Sequence, residues 1–313
     1  SKADEAPFEG IGIPNHGYAS STPVADGQRV YAFFGTAGVV AFDVDGREAW
    51  RAAVAPNPGT HNFGSGASPI LYKDLLIVPA GVECESIIAF DRRKGNEVWR
   101  APTAGYGSCW STPALADLGE RKELLLSVPD EIWALNPENG KLRWHAKSFA
   151  ERTVCPSIVT ANGVAYAIGG RQGGSIAVRV GGRGDVTKSH GVWSGTSGSY
   201  VPSPVLQSGH LFWVNDRGIA FCLKADDGKE VFQQRLNDAG TVYASLVAAD
   251  GKLYAVTRRK GTFVLEAGPK LVEVAHNTFA SDGSDFNASP AVSEGRLFLR
   301  SNKFLYSVGQ QKK

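Results

Sequence analysis

Apolar residues fall in runs of about five that alternate with polar positions, and glycine-bearing turns separate the runs. Val30-Tyr31-Ala32-Phe33-Phe34, Val39-Val40-Ala41-Phe42-Asp43, Ile132-Trp133-Ala134-Leu135-Asn136 and His210-Leu211-Phe212-Trp213-Val214 show the pattern. A period of two over such short runs predicts antiparallel strands joined by tight turns, and no stretch carries a convincing helical period. The pattern itself repeats. A small residue followed by proline recurs at Thr22-Pro23, Ser68-Pro69, Thr112-Pro113, Cys155-Pro156, Ser203-Pro204 and Ser289-Pro290. Ser245-Leu246 is a copy without the proline, and the spacings are 42 to 48 residues. Each copy continues through a Gly-containing turn, an aromatic-rich strand, an alternating strand and a charged turn such as Asp45-Gly46, Lys94-Gly95 or Asp227-Gly228. An outer strand with an aromatic residue closes it: Trp50, Trp99, Trp144, Trp193 or Phe232.

A single four-stranded meander of this kind exposes apolar residues on both faces and cannot bury either by itself. Stacking each unit between two neighbours does so, and a period of about 40–45 residues is that of a propeller blade. The sequence therefore predicts an all-β chain: a β-propeller of four-stranded antiparallel blades, seven repeats in all, forming one domain over residues 1–313. The alternative is an eight-bladed propeller with one blade absent from this chain. The recurring Trp is expected to cover the interface with the next blade, with Trp99 and Trp144 buried there. In the seventh copy the outer strand is missing after Phe304 to Val308, and the segment Phe8 to Ile13 is expected to supply it.

Composition changes this picture little. Thirty-seven glycines against sixteen prolines suit many short strands, and 42% apolar residues suffice for a core. A net charge of +2, from 33 basic and 31 acidic side chains, excludes nucleic acid as the expected partner. No apolar run approaches the roughly 20 residues of a membrane helix. The polar start Ser1 to Glu5 and the lack of any Met read as a processed or trimmed product.

Ala41-Phe42-Asp43 to Trp50, Ala89-Phe90-Asp91 to Trp99 and Ala134-Leu135-Asn136 to Trp144 resemble the A-x-D-x-x-x-G-x-x-x-W signature of PQQ-like, BamB-like propeller repeats. His16 to Pro23, Gly181 to Thr187 and Gly198 to Pro204 are similar to exported PQQ-like proteins of Planctomycetes and related bacteria. The resemblance implies an exported protein, periplasmic or extracellular. It admits quinone-dependent dehydrogenases as well as assembly scaffolds, and fold does not choose among them. An alcohol-oxidising quinoprotein of this family would carry calcium and a disulfide between adjacent cysteines. Cys84, Cys109, Cys155 and Cys222 are all separated, and no acidic cluster of the calcium kind is visible.

The leading expectation is a non-catalytic propeller, a monomer that binds a protein partner or a small polar ligand such as a glycan through one face, without cofactor or metal. The alternatives are a PQQ-dependent oxidoreductase using calcium, or a carbohydrate-active enzyme. Loops before the inner strands and hairpin tips on the same face are expected to converge at one channel mouth. They carry His16, His61, Tyr106, Trp110, Arg152, Arg171, Tyr200, Asp216, Arg217, Tyr243, Arg258 and Asn287, an aromatic, Arg and His lining suited to a polar ligand. Cys84 and Cys109 lie in loops of that face, which permits a disulfide, while Cys155 and Cys222 read as structural. No paired Cys/His spacing points to zinc. Arg183-Gly184-Asp185 and Asn287-Ala288-Ser289 match an adhesion tripeptide and a glycosylation sequon, but they fall in a turn and at an inner strand. Gly169 to Gly174 reads as a hairpin turn, since no helix follows it.

Overall fold

The computed structural model describes residues 20–54, 66–103, 109–171 and 173–309. Within them the chain is a β-propeller whose seven blades follow one another in sequence. The first blade runs Val24–Ala25, Arg29–Phe33, Val39–Asp43, Glu48–Ala52, each strand antiparallel to the one before. Blades two to six repeat this order, and the seventh has three strands, Ala291–Ser293, Arg296–Arg300 and Leu305–Val308. The segment Phe8 to Ile13, expected to complete it, lies outside the described residues. Among the described residues helix is confined to single turns at Gly81–Cys84 and Thr187–His190 and a 3-10 turn at Gly35–Ala37.

The chain divides into two compact units, one of residues 1–165 and 178–191, the other of residues 166–177 and 192–313. In the first, Leu76 and Val78 pack with Tyr31, Val39 and Trp50 of the first blade, while Ile77 between them packs with Leu124 and Leu126 of the third. All three are fully buried, so alternate residues of one strand serve the interfaces with both neighbouring blades. In the second unit Phe212, Cys222 and Phe232 of the fifth blade pack against Leu253, Ala255 and Phe263 of the sixth.

The repeat signature has a direct physical basis. Ala41 pairs across the sheet with Trp50, Ala89 with Trp99 and Ala134 with Trp144, so a small residue stands opposite each indole. A β-bulge follows in each case. The Asp of the signature then caps its turn: Asp43 Oδ1 accepts from the amides of Asp45 and Arg47, and Asp91 Oδ1 from those of Arg93 and Lys94. In the second and third blades the turn glycine packs against the Trp of the preceding blade. A Cβ on Gly95 would lie 2.6 Å from the Trp50 ring, and one on Gly140 2.6 Å from that of Trp99. Trp50 Nε1 donates to the Arg92 carbonyl beside that turn, Trp99 Nε1 to that of Pro137, and Trp193 Nε1 to that of Ala225.

The third blade departs from the rule. Trp144 is fully buried, whereas Trp99, expected to match it, is only half-buried. Gly184–Asp185 adds in parallel to Leu142–Lys147 as a fifth strand and covers the Trp144 edge. Trp144 Nε1 donates to the buried Glu123 carboxylate at 2.8 Å, which also accepts from the Gly181 amide and pairs with Arg121. Of the exposed tripeptide Arg183-Gly184-Asp185, the last two residues are thus this added strand and Arg183 precedes it.

The small residue before proline is a hydroxyl relay. In the first unit the Thr22 amide donates to Ser68 Oγ, the Ser68 amide to Thr112 Oγ1 and the Thr112 amide to Ser157 Oγ. In the second the Ser203 amide donates to Ser245 Oγ and the Ser245 amide to Ser289 Oγ. This explains why Ser245 persists where the proline is lost. It also corrects the alignment of the fourth copy: the acceptor is Ser157, after the proline, and not Cys155.

Candidate functional site

The second unit holds a cleft of about 800 Å³. Its walls are the hairpin tip at Gly170, Arg171 and Gly173, the loop Thr196 to Tyr200, the tip Asn215 to Arg217 and the loop Gly240 to Tyr243, with Gln233 and Arg235 from the strand Glu230–Arg235. Ile219 and Phe221 also line it.

Each wall is fixed locally. Gly169 to Gly174 closes as the expected hairpin, with the Gly169 amide donating to the Gly174 carbonyl. A Cβ on Gly198 would stand 2.5 Å from the Gly174 amide nitrogen, so only glycine lets the two backbones pack this closely. The fully buried Trp213 stacks on Phe221 at 4.9 Å and donates through Nε1 to the Gly198 carbonyl. At the next tip Asn215 Oδ1 accepts from the amides of Arg217 and Ile219, and the Val242 amide donates to the Asp216 carbonyl, joining that tip to the fourth wall.

The charged side chains are oriented too. The Arg171 guanidinium lies 4.2 Å over the Tyr200 ring and donates to its hydroxyl at 2.9 Å. Arg235 Nη1 donates to the Arg217 carbonyl at 2.6 Å. Arg258 stands 5.6 Å from the Tyr243 ring centre and donates twice to Asp285 Oδ2. Arg259 bonds the other oxygen of that carboxylate, and this bond, with the Arg258 contact, holds the Asp285 carboxyl below its ordinary value against the opposing effect of burial.

Five of the twelve residues expected at the site line this cleft: Arg171, Tyr200, Asp216, Arg217 and Tyr243. Arg258 sits behind it through Tyr243, and Asn287 does not line it. Trp110 and Arg152 belong to the first unit. His16, His61 and Tyr106 lie outside the described residues. Sequence reasoning missed Asn215, Gln233 and Arg235. Strand register would have found the last, because Arg235 pairs with Ile219, the first residue after the Asn215 to Gly218 tip.

No disulfide joins Cys84 and Cys109, whose loops permitted one, and each thiol is engaged elsewhere. Cys109 Sγ donates to the Ser127 carbonyl, while Cys84 Sγ lies 3.5 Å from the carbonyls of Ala80 and Val54 and from Arg100, with burial pushing its pKa up. Cys222 takes the place of the signature alanine opposite Phe232, and burial pushes its thiol up to about 12.

The cleft lining contains no His, Cys or Lys; its proton-exchanging groups are one carboxylate, Asp216, and the phenols of Tyr200 and Tyr243. Calcium beside a quinone needs several carboxylate and amide oxygens. Asp216 alone does not provide them, and among the described residues no group of three His, Cys, Asp or Glu side chains is placed to hold a metal ion. The cleft residues therefore do not fit a calcium-bound quinone.

Among solved structures, BamB from Moraxella catarrhalis is similar with a TM-score of 0.71 at 14% identity, over 92% of this chain and 84% of that one. The computationally designed Ika8 protein is similar with a TM-score of 0.63 at 10% identity, over 89% and 79% of the two chains. At such identities these likenesses speak for the fold alone. No curated protein sequence matches the chain. The family model described as "Outer membrane protein assembly factor BamB" matches residues 12–234 and again 172–268, where the Trp–Gly signature and the hydroxyl relay recur. On that match the chain belongs to the PQQ-like, BamB-type propeller family.

Proposed function

We propose that this chain is a non-catalytic binding propeller of an exported protein, periplasmic or extracellular, that holds a protein partner against the loops bearing the 800 Å³ cleft. The observation that carries the reading is the cleft itself. Loops of three consecutive blades wall it, and oriented guanidinium and phenol groups line it. The family description, an outer membrane assembly factor, supports a protein partner and an exported setting. Among the described residues no helix is long and apolar enough to cross a membrane.

Site-specific crosslinking in the source cell tests this. A photoreactive residue at Ser197 or Thr241, in the cleft wall, should give one discrete protein adduct, and the same residue at the exposed Val98 of an outer strand should not. Adducts only from Val98, or none from the cleft, would overturn the reading. So would stoichiometric uptake of PQQ with calcium accompanied by dye reduction.

A further inference from the structure

We infer that the cleft receives a carboxylate-rich, extended peptide segment of that partner, an inference that rests on the reading above. The charge of the cleft departs from that of the chain. Over the whole sequence basic and acidic side chains nearly cancel, at 33 against 31. Among the described residues several arginines elsewhere are neutralised where they stand: Arg51 by Glu48, Arg92 by Asp26, Arg100 by Glu97, Arg121 by Glu123, and Arg258 with Arg259 by Asp285. In the cleft three arginines, Arg171, Arg217 and Arg235, face one carboxylate, Asp216. Among the described residues neither Arg217 nor Arg235 has an ion pair, and Arg235 spends only Nη1, on the Arg217 carbonyl. All three are exposed.

A guanidinium is a planar fork of donors matched to a carboxylate, and orienting it beforehand reduces the entropy lost on binding. The cleft does this orienting for Arg171 and Arg235. The tyrosines argue for a peptide over a sugar. A sugar site needs open aromatic faces, but Tyr200 has the Arg171 guanidinium over its ring and Tyr243 has that of Arg258 beside its own. Here the tyrosines hold arginines in place. The wall also includes Gly170, Gly173, Gly198 and Gly240, positions where no side chain narrows the cleft. An extended acidic peptide can use both features, its carboxylates meeting the arginines and its backbone lying along the side-chain-free part of the wall.

The test is fluorescence anisotropy with a labelled octapeptide of alternating Glu and Ala, against its Gln counterpart. Saturable binding of the Glu peptide, at least tenfold tighter than the Gln peptide and weakened by added salt, is expected. The double variant R217Q/R235Q should weaken it tenfold or more with an unchanged melting curve, and R183Q, at an exposed arginine of the first unit, should leave it unaltered. Equal binding of the two peptides, or an equal loss in R183Q, would overturn the inference. So would binding of a labelled oligogalacturonate or of inorganic phosphate with none of the Glu peptide. If cleft adducts form in the cell but the Glu peptide does not bind, the acidic segment is wrong and the protein-binding reading stands. If neither occurs, both fall.

Discussion

Gly95 is asked for two things at once. Its φ of +77° is one that residues with a Cβ rarely adopt, and the space a Cβ would need is filled by the Trp50 ring. Gly27 has a similar φ of +86° with nothing within 4 Å of a Cβ. The two sites therefore separate backbone strain from packing. Gly27→Ala should cost about 1–2 kcal/mol, the strain alone. Gly95→Ala should cost a further 1–3 kcal/mol, because the Trp50 indole must move off the turn. Chemical denaturation of the two variants checks this, and equal losses would show that the Trp–Gly contact contributes nothing. The signature was legible in the sequence because these residues cannot be exchanged freely: a small residue opposite the indole, an Asx at the turn and a glycine beneath the neighbouring indole. Ser157 was not legible. Cys155 precedes a proline as the other copies do, and only the hydrogen bond from the Thr112 amide reveals that the acceptor has moved two residues along.

Between elements, two polar devices join blades whose cores are apolar. The relay predicts that Ser157→Ala loses about 1 kcal/mol, since the Thr112 amide keeps a half-buried N–H without its acceptor. Cys155→Ala, which leaves that bond intact, should lose less. A larger loss from Cys155 in the same denaturation experiment would restore the original alignment. The second device joins the first and second blades through Asp26. Burial alone would raise this carboxyl, but the amides of Gln28 and Arg29, the Tyr31 hydroxyl and the Arg92 charge hold it at about 2. A carboxyl depressed on folding contributes stability above its unfolded pKa, here 3.8, and loses it as pH falls through the folded value. Asp26→Asn should therefore cost roughly 1–2 kcal/mol at pH 7, less than the full shift implies because Arg92 remains partly in water. That cost should shrink between about pH 4 and pH 2. A cost independent of pH across that window would show that the charge is not what matters.

For the molecule as a whole, the fold was readable because one short pattern recurs seven times, while the site was only partly so because nothing in it recurs. The sequence could place Arg171, Arg217 and Tyr243 in loops of one face, but it could not say that Gly198 packs against Gly174 or that Arg235 reaches the Arg217 carbonyl. Those are distances set by the folded backbone. Repetition bears on integrity as well. We propose that residues 1–313 behave as one domain held by contacts between neighbours, and the exposed turn at Gly119 and Glu120 allows a direct trial. A glutamyl endopeptidase cutting after Glu120 would leave Ala114–Asp117 on one fragment and its partner strand Lys122–Val128 on the other. The ladder from Asp117↔Lys122 to Ala114↔Leu125 still joins them, and so does the bond from the Thr112 amide to Ser157. Beneath these, Tyr72, Ile77, Ile87 and Ala89 of one fragment pack with Leu124, Leu126, Val128, Leu135 and Val154 of the other. Each fully buried aliphatic side chain in that cluster contributes about 1.5–3 kcal/mol, so the cut should open a turn without separating the pieces. The two fragments should co-elute at the size of the intact chain in native size-exclusion chromatography and part only in denaturant. Elution of either fragment alone under native conditions would show that the blades stand in separable groups.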